Sequence, residues 1–298
     1  MSLTVVGSIA LDTVDTPWGR NEEGLGGAAT YFSLAASHYT RVHLVGVVGE
    51  DFPDEHVALL QGKGIDLAGL ERASGKTFRW TGRYHHDVNH RDTLDTQLNV
   101  FAGFHPKLPE TARNAEFLFL GNIHPALQLE VLEQAKAAFV ALDTMNLWIH
   151  TTRDDLGKVL ARVDCLIIND SEVRDLTGEH NVVLGAEAVR ALGPRIVVIK
   201  KGEHGCLLFH DDGIFAAPAF PLRDVIDPTG AGDTFAGGFM GHIAQIGNTD
   251  PQTLRQAVVH GSVVASYACE AFGPGRLAEM TPSDIAERFN AFRRLVAF

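Results

Sequence analysis

Asp227-Pro228-Thr229-Gly230-Ala231-Gly232-Asp233 joins a β-rich segment to a long helical pattern. Proline at its second and glycine at its fourth position make a turn. The turn delivers Gly230 to Asp233 at a helix start, where the first backbone N–H groups lack intrahelical partners and the helix dipole favours negative charge. Gly230, Ala231 and Gly232 thus offer an anion hole with no bulky side chain in the way, suited to a transferring phosphoryl group. Asp233 beside it is placed to orient and deprotonate an attacking hydroxyl. The plainer alternative is a tight helix start with a first-turn acid. In the helix that follows, Phe235, Phe239, Ile243 and Ile246 line one face, and Gly237, Gly238 and Gly241 let a neighbour approach closely on another.

Upstream, short β-branched runs alternate with helix-length segments. Leu3–Val6, Val42–Val48, Phe117–Leu120, Phe139–Leu142, Cys165–Ile168 and Ile196–Ile199 each read as a strand buried on both faces. Leu127, Val131, Leu132 and Ala135 show the helical spacing between two of them. Two further strands are expected near Cys206–Phe209 and Ile214–Ala216, before an almost wholly helical tail. This rhythm predicts an α/β fold, a doubly wound, mostly parallel sheet flanked by helices, with ligands at the carboxyl ends of its strands. Residues 10–24 and 75–101 break the rhythm. Phe78, Trp80 and Tyr84, then Leu94, Leu98 and Val100 after a polar turn, predict a hairpin plus an extra strand. These segments form a small β lid inserted within a single domain spanning 1–298.

The chain has 298 residues, 45% hydrophobic and 21% charged, enough for a sizeable core. Its 25 Lys and Arg against 37 Asp and Glu give a net charge of −12, which argues against a nucleic-acid or anionic-membrane surface, so an anionic ligand must be met locally. Cys165, Cys206 and Cys269 are odd in number and lack a CxxC spacing, so neither a disulfide framework nor a cysteine zinc site is suggested and a reducing cytoplasm fits best. The first ten residues lack a basic n-region, and the longest uncharged stretch, 234–249, carries four glycines and a histidine; neither a signal peptide nor a membrane span is expected.

The sequence resembles the ribokinase-like (PfkB-type) carbohydrate and nucleoside kinase family over nearly its whole length, with four pieces in the family's order. Gly7-Ser8-Ile9-Ala10-Leu11-Asp12 follows the first strand, and Gly26-Gly27 opens the first helix. Asn169-Asp170-Ser171-Glu172 fits the Asn-x-x-Glu motif, and Asp227–Asp233 fits the C-terminal signature. The resemblance implies ATP and Mg²⁺ as cofactors. It casts Asp12 as holder of substrate hydroxyls, Gly26 and Gly27 as close backbone approach to substrate, and Asn169 and Glu172 as acting mostly through water on Mg²⁺ and the phosphates. Asp233 would be the base, with Gly230, Ala231 and Gly232 as the hole. Lys200-Lys201-Gly202-Glu203-His204-Gly205 stands in the place of the family's nucleotide-contacting loop, where a lysine would offset phosphate charge and Lys201, Gly202 and Gly205 are the implied contacts, and Val258–Gly275 stands in that of its adenine-site helix and loop. A monovalent cation, K⁺, beside Asp227 and Thr229 is a further implication. The plain alternatives are a turn start for Asp12, an N-cap with its N3 acid for Asn169 and Glu172, and a solvated turn for 200–205.

Departures from the pattern bear on the acceptor. Ala10, Ala28 and Tyr31 stand where ribokinases proper are expected to carry asparagine, lysine and asparagine, so three polar contacts to a small pentose are missing. Tyr31, with Trp80 or Phe78, is available for stacking, and Asn122 and His124 follow a strand within reach of substrate. The expected partners are a sugar, polyol or nucleoside and ATP, the aromatic pocket tilting toward a nucleoside; a homodimer through exposed lid edges is compatible. Other readings are weaker. Leu70–Thr77 ends like a P-loop but lacks its first glycine. Gly24–Ala29 has the dinucleotide spacing of an oxidoreductase, with Glu50 and Asp51 as ribose-binding acids, yet polar Arg20–Glu23 leads into it. His85 and His86, adjacent on a strand, would face opposite ways and make a poor metal site with His90.

Overall fold

The computed structural model describes residues 1–297. The chain forms strands β1 (Ser2–Val6), β2 (Ala10–Thr16) and β3 (Gly19–Gly26), helix α1 (Ala28–Ala36), β4 (Arg41–Gly49), α2 (Asp54–Gly62), β5 (Asp66–Ala73), β6 (Phe78–Tyr84) and β7 (Arg91–Gln97). There follow α3 (Glu110–Arg113), β8 (Phe117–Leu120), α4 (Pro125–Gln134), β9 (Phe139–Asp143), α5 (Asn146–Thr151), α6 (Arg153–Leu160), β10 (Cys165–Asn169), α7 (Asp170–Thr177), α8 (Val182–Ala191) and β11 (Ile196–Lys200). The hairpin β12 (Cys206–His210) and β13 (Gly213–Ala217) precedes α9 (Ala231–Ile246), α10 (Pro251–Ala268), α11 (Gly275–Glu279) and α12 (Pro282–Leu295). Among these described residues no helix is long and apolar enough to cross a membrane.

Nine strands form one sheet in the order β13-β12-β11-β10-β9-β8-β1-β4-β5. Every neighbouring pair from β5 to β11 is parallel, and only β12, paired antiparallel with both β11 and β13, runs the opposite way. The side-chain period of two sorts the strands into two cores. Phe117, Phe119, Cys165, Ile167 and Val198 face the layer of α1, α9 and α10, while Leu118, Leu120, Leu166, Ile168 and Val197 face that of α4, α6, α7 and α8. All eight strands expected in this sheet are present, extended by one or two residues at most. A ninth, β5, was not anticipated: its sequence DLAGLERA is half-polar because it lies at the sheet edge beside β4.

The two irregular stretches build a second, four-stranded sheet of order β3-β2-β6-β7. Residues 10–26 make a complete hairpin where one extra strand was expected, and β2 runs parallel to β6. Leu98 and Val100 do not continue β7 but flank and enter a short 3₁₀ turn at Asn99–Gly103, which packs Phe101 on Phe78 at 5.4 Å. A strand does lead into Gly24–Ala29, contrary to the reading of Arg20–Glu23. It belongs to the small antiparallel hairpin, however, not to a central parallel strand, so the dinucleotide context is still absent. His85 and His90 are solvated and paired with Asp92 and Asp87, and no cluster of three potential metal-ligating side chains occurs among the described residues.

Two features bring the motif to the sheet. The chain leaves β1 toward β4 and leaves β8 toward β9, so these neighbours mark the point where strand order reverses and a crevice opens at the carboxyl edge. Helix α9 then lies tightly between α1 and α10. A Cβ on Gly237 would stand 2.4 Å from the Phe32 carbonyl, and one on Gly238 would stand 3.0 Å from Gly261 Cα. The apolar stripe Phe235, Phe239 and Ile243 is buried, but Ile246, at the last turn, is exposed. Because Phe239 is fully buried at the middle of α9, Phe239→Ala should cost about 3–5 kcal/mol in urea unfolding. A loss below 1 kcal/mol would mean that α9 is not held by this packing.

Candidate active site

Gly230 caps α9 in the left-handed region, at φ 73°, where an L side chain is strained. It also has no room for one, because a Cβ there would stand 2.3 Å from the ring of Tyr31. Tyr31 is 2% exposed, which corrects the expectation that it stacks on an acceptor: its ring is the floor under Gly230. Asp227 fixes the turn from the other side. Its Oδ1 accepts the Thr229 N–H at 2.9 Å and its Oδ2 the Gly273 N–H at 3.3 Å, tying the motif to the loop after α10. The carboxylate is thus engaged in holding backbone.

The hole is narrower than the sequence implied. Ala231 donates its N–H to the Pro228 carbonyl at 3.2 Å, and the Thr234 N–H goes to Gly230. The amides of Gly232 and Asp233 have no main-chain partner, and that of Asp233 lies against its own carboxylate, so the Gly232 N–H is the open one. The buried Thr229 Oγ1 has no partner either. Such unmet donors fit the phosphate groups of ATP.

Around this point the carboxyl edge gathers charge from separate elements. Asp12, on β2, is 6% exposed and accepts the Gly27 N–H at 3.3 Å. Gly26 is needed there, since its Cβ would stand 2.0 Å from Asp12 Oδ2, and Gly27 sits at φ 92° against the Ser8 carbonyl. Ser8 in turn receives the N–H groups of Ala28 and Ala29, so the Gly7–Asp12 segment starts α1. Burial, reinforced by Asp227 and Asp233, pushes the Asp12 carboxyl up to about 7. Burial and then Asp143 do the same for Asp233, also to about 7, with Lys200 and Arg91 pulling it back.

Asn169 and Glu172 form a capping box at the start of α7, Glu172 N–H to Asn169 Oδ1 at 2.8 Å and Asn169 N–H to Glu172 Oε2 at 3.0 Å. This is the plainer reading, and it coexists with a place in the cluster. Burial and the charge of Asp143 raise Glu172 to about 7. The arrangement fits Mg²⁺ held through water and phosphate, since no set of three carboxylate or imidazole ligands is assembled among the described residues.

Two charged residues here, Asp143 and Arg91, are not singled out by the sequence, and Lys200 is singled out only as part of the 200–205 loop. Lys200 ends β11 in register with Asn169, and its Nζ is the atom that a Cβ on Gly232 would meet, at 3.1 Å. Asp143 ends β9, with Oδ2 3.6 Å from that ammonium. Both stand at the carboxyl ends of strands, the position singled out for chemistry. Arg91 arrives from β7, stacked 5.2 Å over the Trp80 ring and close enough to influence Asp12, Glu172 and Asp233. Lys201, expected to contact phosphate, lies in the turn after β11, where its main-chain N–H reaches the Gly205 carbonyl at 2.7 Å. Gly202 and Gly205 shape that turn, and Asn89, from the tip between β6 and β7, donates to Glu203 across from it at 3.2 Å.

Other expected contacts are turned to local use. Asn122 Oδ1 accepts the Trp148 indole N–H at 2.8 Å, His124 caps α4, and Trp80 donates to Thr93. Asp233 carries a testable cost. With a folded-state pKa near 7 against an ordinary carboxylate in the unfolded chain, the native state retains a proton that the unfolded chain releases, so its contribution to stability is lost as pH rises from about 4 to 7. Asp233→Asn should therefore raise the thermal midpoint of the ligand-free protein by a few degrees at pH 8 and leave it unchanged at pH 4. No gain at pH 8 would contradict the burial of this charge.

Comparison with known proteins agrees with this geometry. A cytidine kinase of Thermococcus kodakarensis is 32% identical over 247 residues, 80% of this chain and 87% of the relative. Among solved structures, a Burkholderia thailandensis nucleoside kinase in complex with inosine superposes with a TM-score of 0.80 at 20% identity, covering 97% of each chain. A putative ribokinase II of E. coli in complex with ATP and Mg²⁺ gives 0.80 at 17% identity, covering 97% of this chain and 99% of the other. The family model of the pfkB family carbohydrate kinases matches residues 3–280, so a ribokinase-like sheet whose carboxyl edge receives the Asp227–Asp233 turn has its explanation: the chain belongs to the PfkB family and is a phosphotransferase acting on a sugar or nucleoside.

Proposed function

We propose that this enzyme transfers the γ-phosphoryl group of ATP to a hydroxyl of a nucleoside. The observation that carries the reading is the gathering at the open helix start of two carboxylates, the buried Asp12 and the half-buried Asp233, close enough to influence one another. A base whose pKa lies near 7 is matched to proton transfer at neutral pH. Asp12 would hold acceptor hydroxyls, and Asp233 would take the proton of the attacking one. As the acceptor oxygen bonds to phosphorus, the bond to the bridging oxygen breaks, ADP leaves with the electron pair, and the amide of Gly232 offsets the charge on the phosphoryl oxygens. When bound, Mg²⁺ supplies further neutralisation of that charge, with Asn169 and Glu172 as its water-mediated holders.

The nucleoside assignment rests on the names of the relatives and on the pocket. The relatives include a cytidine kinase and a nucleoside kinase complexed with inosine. The three polar residues expected for free ribose are replaced by Ala10, Ala28 and a buried Tyr31. Trp80, partly buried on β6, and Arg91 stacked on it offer a flat surface for a base on the small sheet. That sheet would act as a lid, excluding water while the acceptor is phosphorylated.

With ATP and Mg²⁺ present, a panel of pentoses, hexoses, inositols and nucleosides should give the highest kcat/KM for a nucleoside. A pentose or hexose preferred over every nucleoside would overturn the assignment. Asp233→Asn should lower kcat at least ~10²-fold with ATP binding preserved. Unchanged turnover would remove Asp233 from the role of base.

A further inference from the structure

We infer that the stacked imidazoles of His242, on α9, and His260, on α10, form an acid-sensitive joint between these two helices: uncharged they hold the pair together, and charged they force it apart. His242 sits more than two turns along α9 from Asp233, so the joint is separate from the candidate active site and does not depend on the function proposed for it.

Four rings from four elements make the joint. The His242 and His260 rings stack with centroids 4.2 Å apart and planes 18° apart, and Phe289 of α12 stacks on His260 at 4.5 Å. Tyr39, just after α1, meets the two imidazoles edge-on at 6.3 and 5.3 Å, and its Oη lies 3.1 Å from His260 Nδ1. The backbones leave no slack here. A Cβ on Gly238 would stand 3.0 Å from Gly261 Cα, one on Gly261 2.8 Å from the Phe235 carbonyl, and one on Gly241 2.9 Å from the Tyr39 ring. The imidazoles can therefore separate only if α9 and α10 separate. They do not form a metal site: stacked face to face, two rings cannot aim their in-plane lone pairs at one ion, and no cluster of three ligating side chains occurs among the described residues.

No neighbour compensates a positive charge on the stack. His242 is 6% exposed, and the neutral amide of Gln256, one turn before His260 on α10, approaches it without closing a hydrogen bond of ordinary geometry. The half-buried His260 borders a cavity of about 320 Å³ lined also by His38, Gln245 and Asn290, with no Asp, Glu, Lys or Arg among its described lining residues, so a proton can arrive from solvent but meets no counter-charge. Charged groups of the adjoining elements are engaged elsewhere. On α12, Asp284 accepts from Thr281 and Arg288 donates to Glu270; on α10, Arg255 donates to Asp212; Lys63 and Asp284 act on His38. Burial accordingly lowers His242 in spite of Gln256 and, with the repulsion of His242 added, pushes His260 down to about 3. A first proton would place an uncompensated charge in the helix interface, and a second would set two like charges 4.2 Å apart. An unfolded histidine takes its proton near 6.5, so the contribution of the joint to stability is present above that pH and is lost as pH falls below it.

Urea unfolding at about pH 8 and about pH 5 tests the joint on the wild-type protein and on His260→Phe, which keeps a ring in the stack and removes its proton site. Between these limits the unfolding equilibrium constant of the wild type should rise about 30-fold more than that of the variant, the shift expected of a histidine that titrates at 6.5 unfolded and about 3 folded. Other titrating groups, Asp12 and Asp233 among them, are common to both proteins and cancel in the comparison. If His260→Phe does not fold, His260→Gln carries the same comparison. In the folded wild type, the imidazole NMR signals of the two residues, assigned by their loss from His260→Phe and His242→Phe, should hold the neutral position down to about pH 5. A difference in pH dependence below about tenfold, or either ring titrating near 6.5 in the folded protein, overturns the inference.

Discussion

The seating of Gly230 against the ring of Tyr31 determines what the carboxyl edge can be. A left-handed residue is required to turn the chain from Asp227 into α9, and the 2.3 Å that a Cβ would find at the tyrosine ring leaves glycine as the residue that fits. Asp227 holds one flank of the turn through two backbone N–H groups and Tyr31 closes the underside. The helix start is then fixed relative to β1, β9 and β11, whose ends supply Asp12 through the following strand, Asp143 and Lys200. Displacing the turn would separate the amides from every charged group that gives them a use.

Charge concentration is the second constraint. Asp12, Asp143, Glu172, Asp227 and Asp233 are all raised above the ordinary carboxylate range, chiefly by burial, opposed by hydrogen bonds to backbone N–H groups and, at all but Asp227, by the charge of Lys200 or Arg91. Such a cluster is destabilising in the ligand-free protein and suits a site that receives a cation and a polyphosphate together. The net charge of −12 is consistent with the proposed function, in which phosphate would be met locally at the helix start and several of the acids would belong to the site.

Much of this was legible in the sequence where a single physical rule applied. Strands buried on both faces declare themselves by β-branched runs, and Asp227–Asp233 declares a turn into a helix start. The rest depended on tertiary context. β5 lies at the edge of the large sheet and is half-polar, so it carries no apolar period to detect. Choosing between Lys200 and Lys201 required the last residue of β11, which only the pairing of Asn169 with Lys200 fixes. Tyr31 reads as a stacking surface in the sequence because nothing local reveals that Gly230, some two hundred residues later, will cover it. Asp143 is an isolated acid after an apolar run, and its meaning appears only when β9 and β11 flank β10.

The most direct test of the account is a crystal structure of the enzyme with AMP-PNP, Mg²⁺ and a nucleoside. The account predicts the terminal phosphate on the amide of Gly232, with an acceptor hydroxyl between that phosphate and the Asp233 carboxylate and the remaining hydroxyls on Asp12. A terminal phosphate seated away from the start of α9, or an acceptor whose hydroxyls approach neither carboxylate, would contradict it.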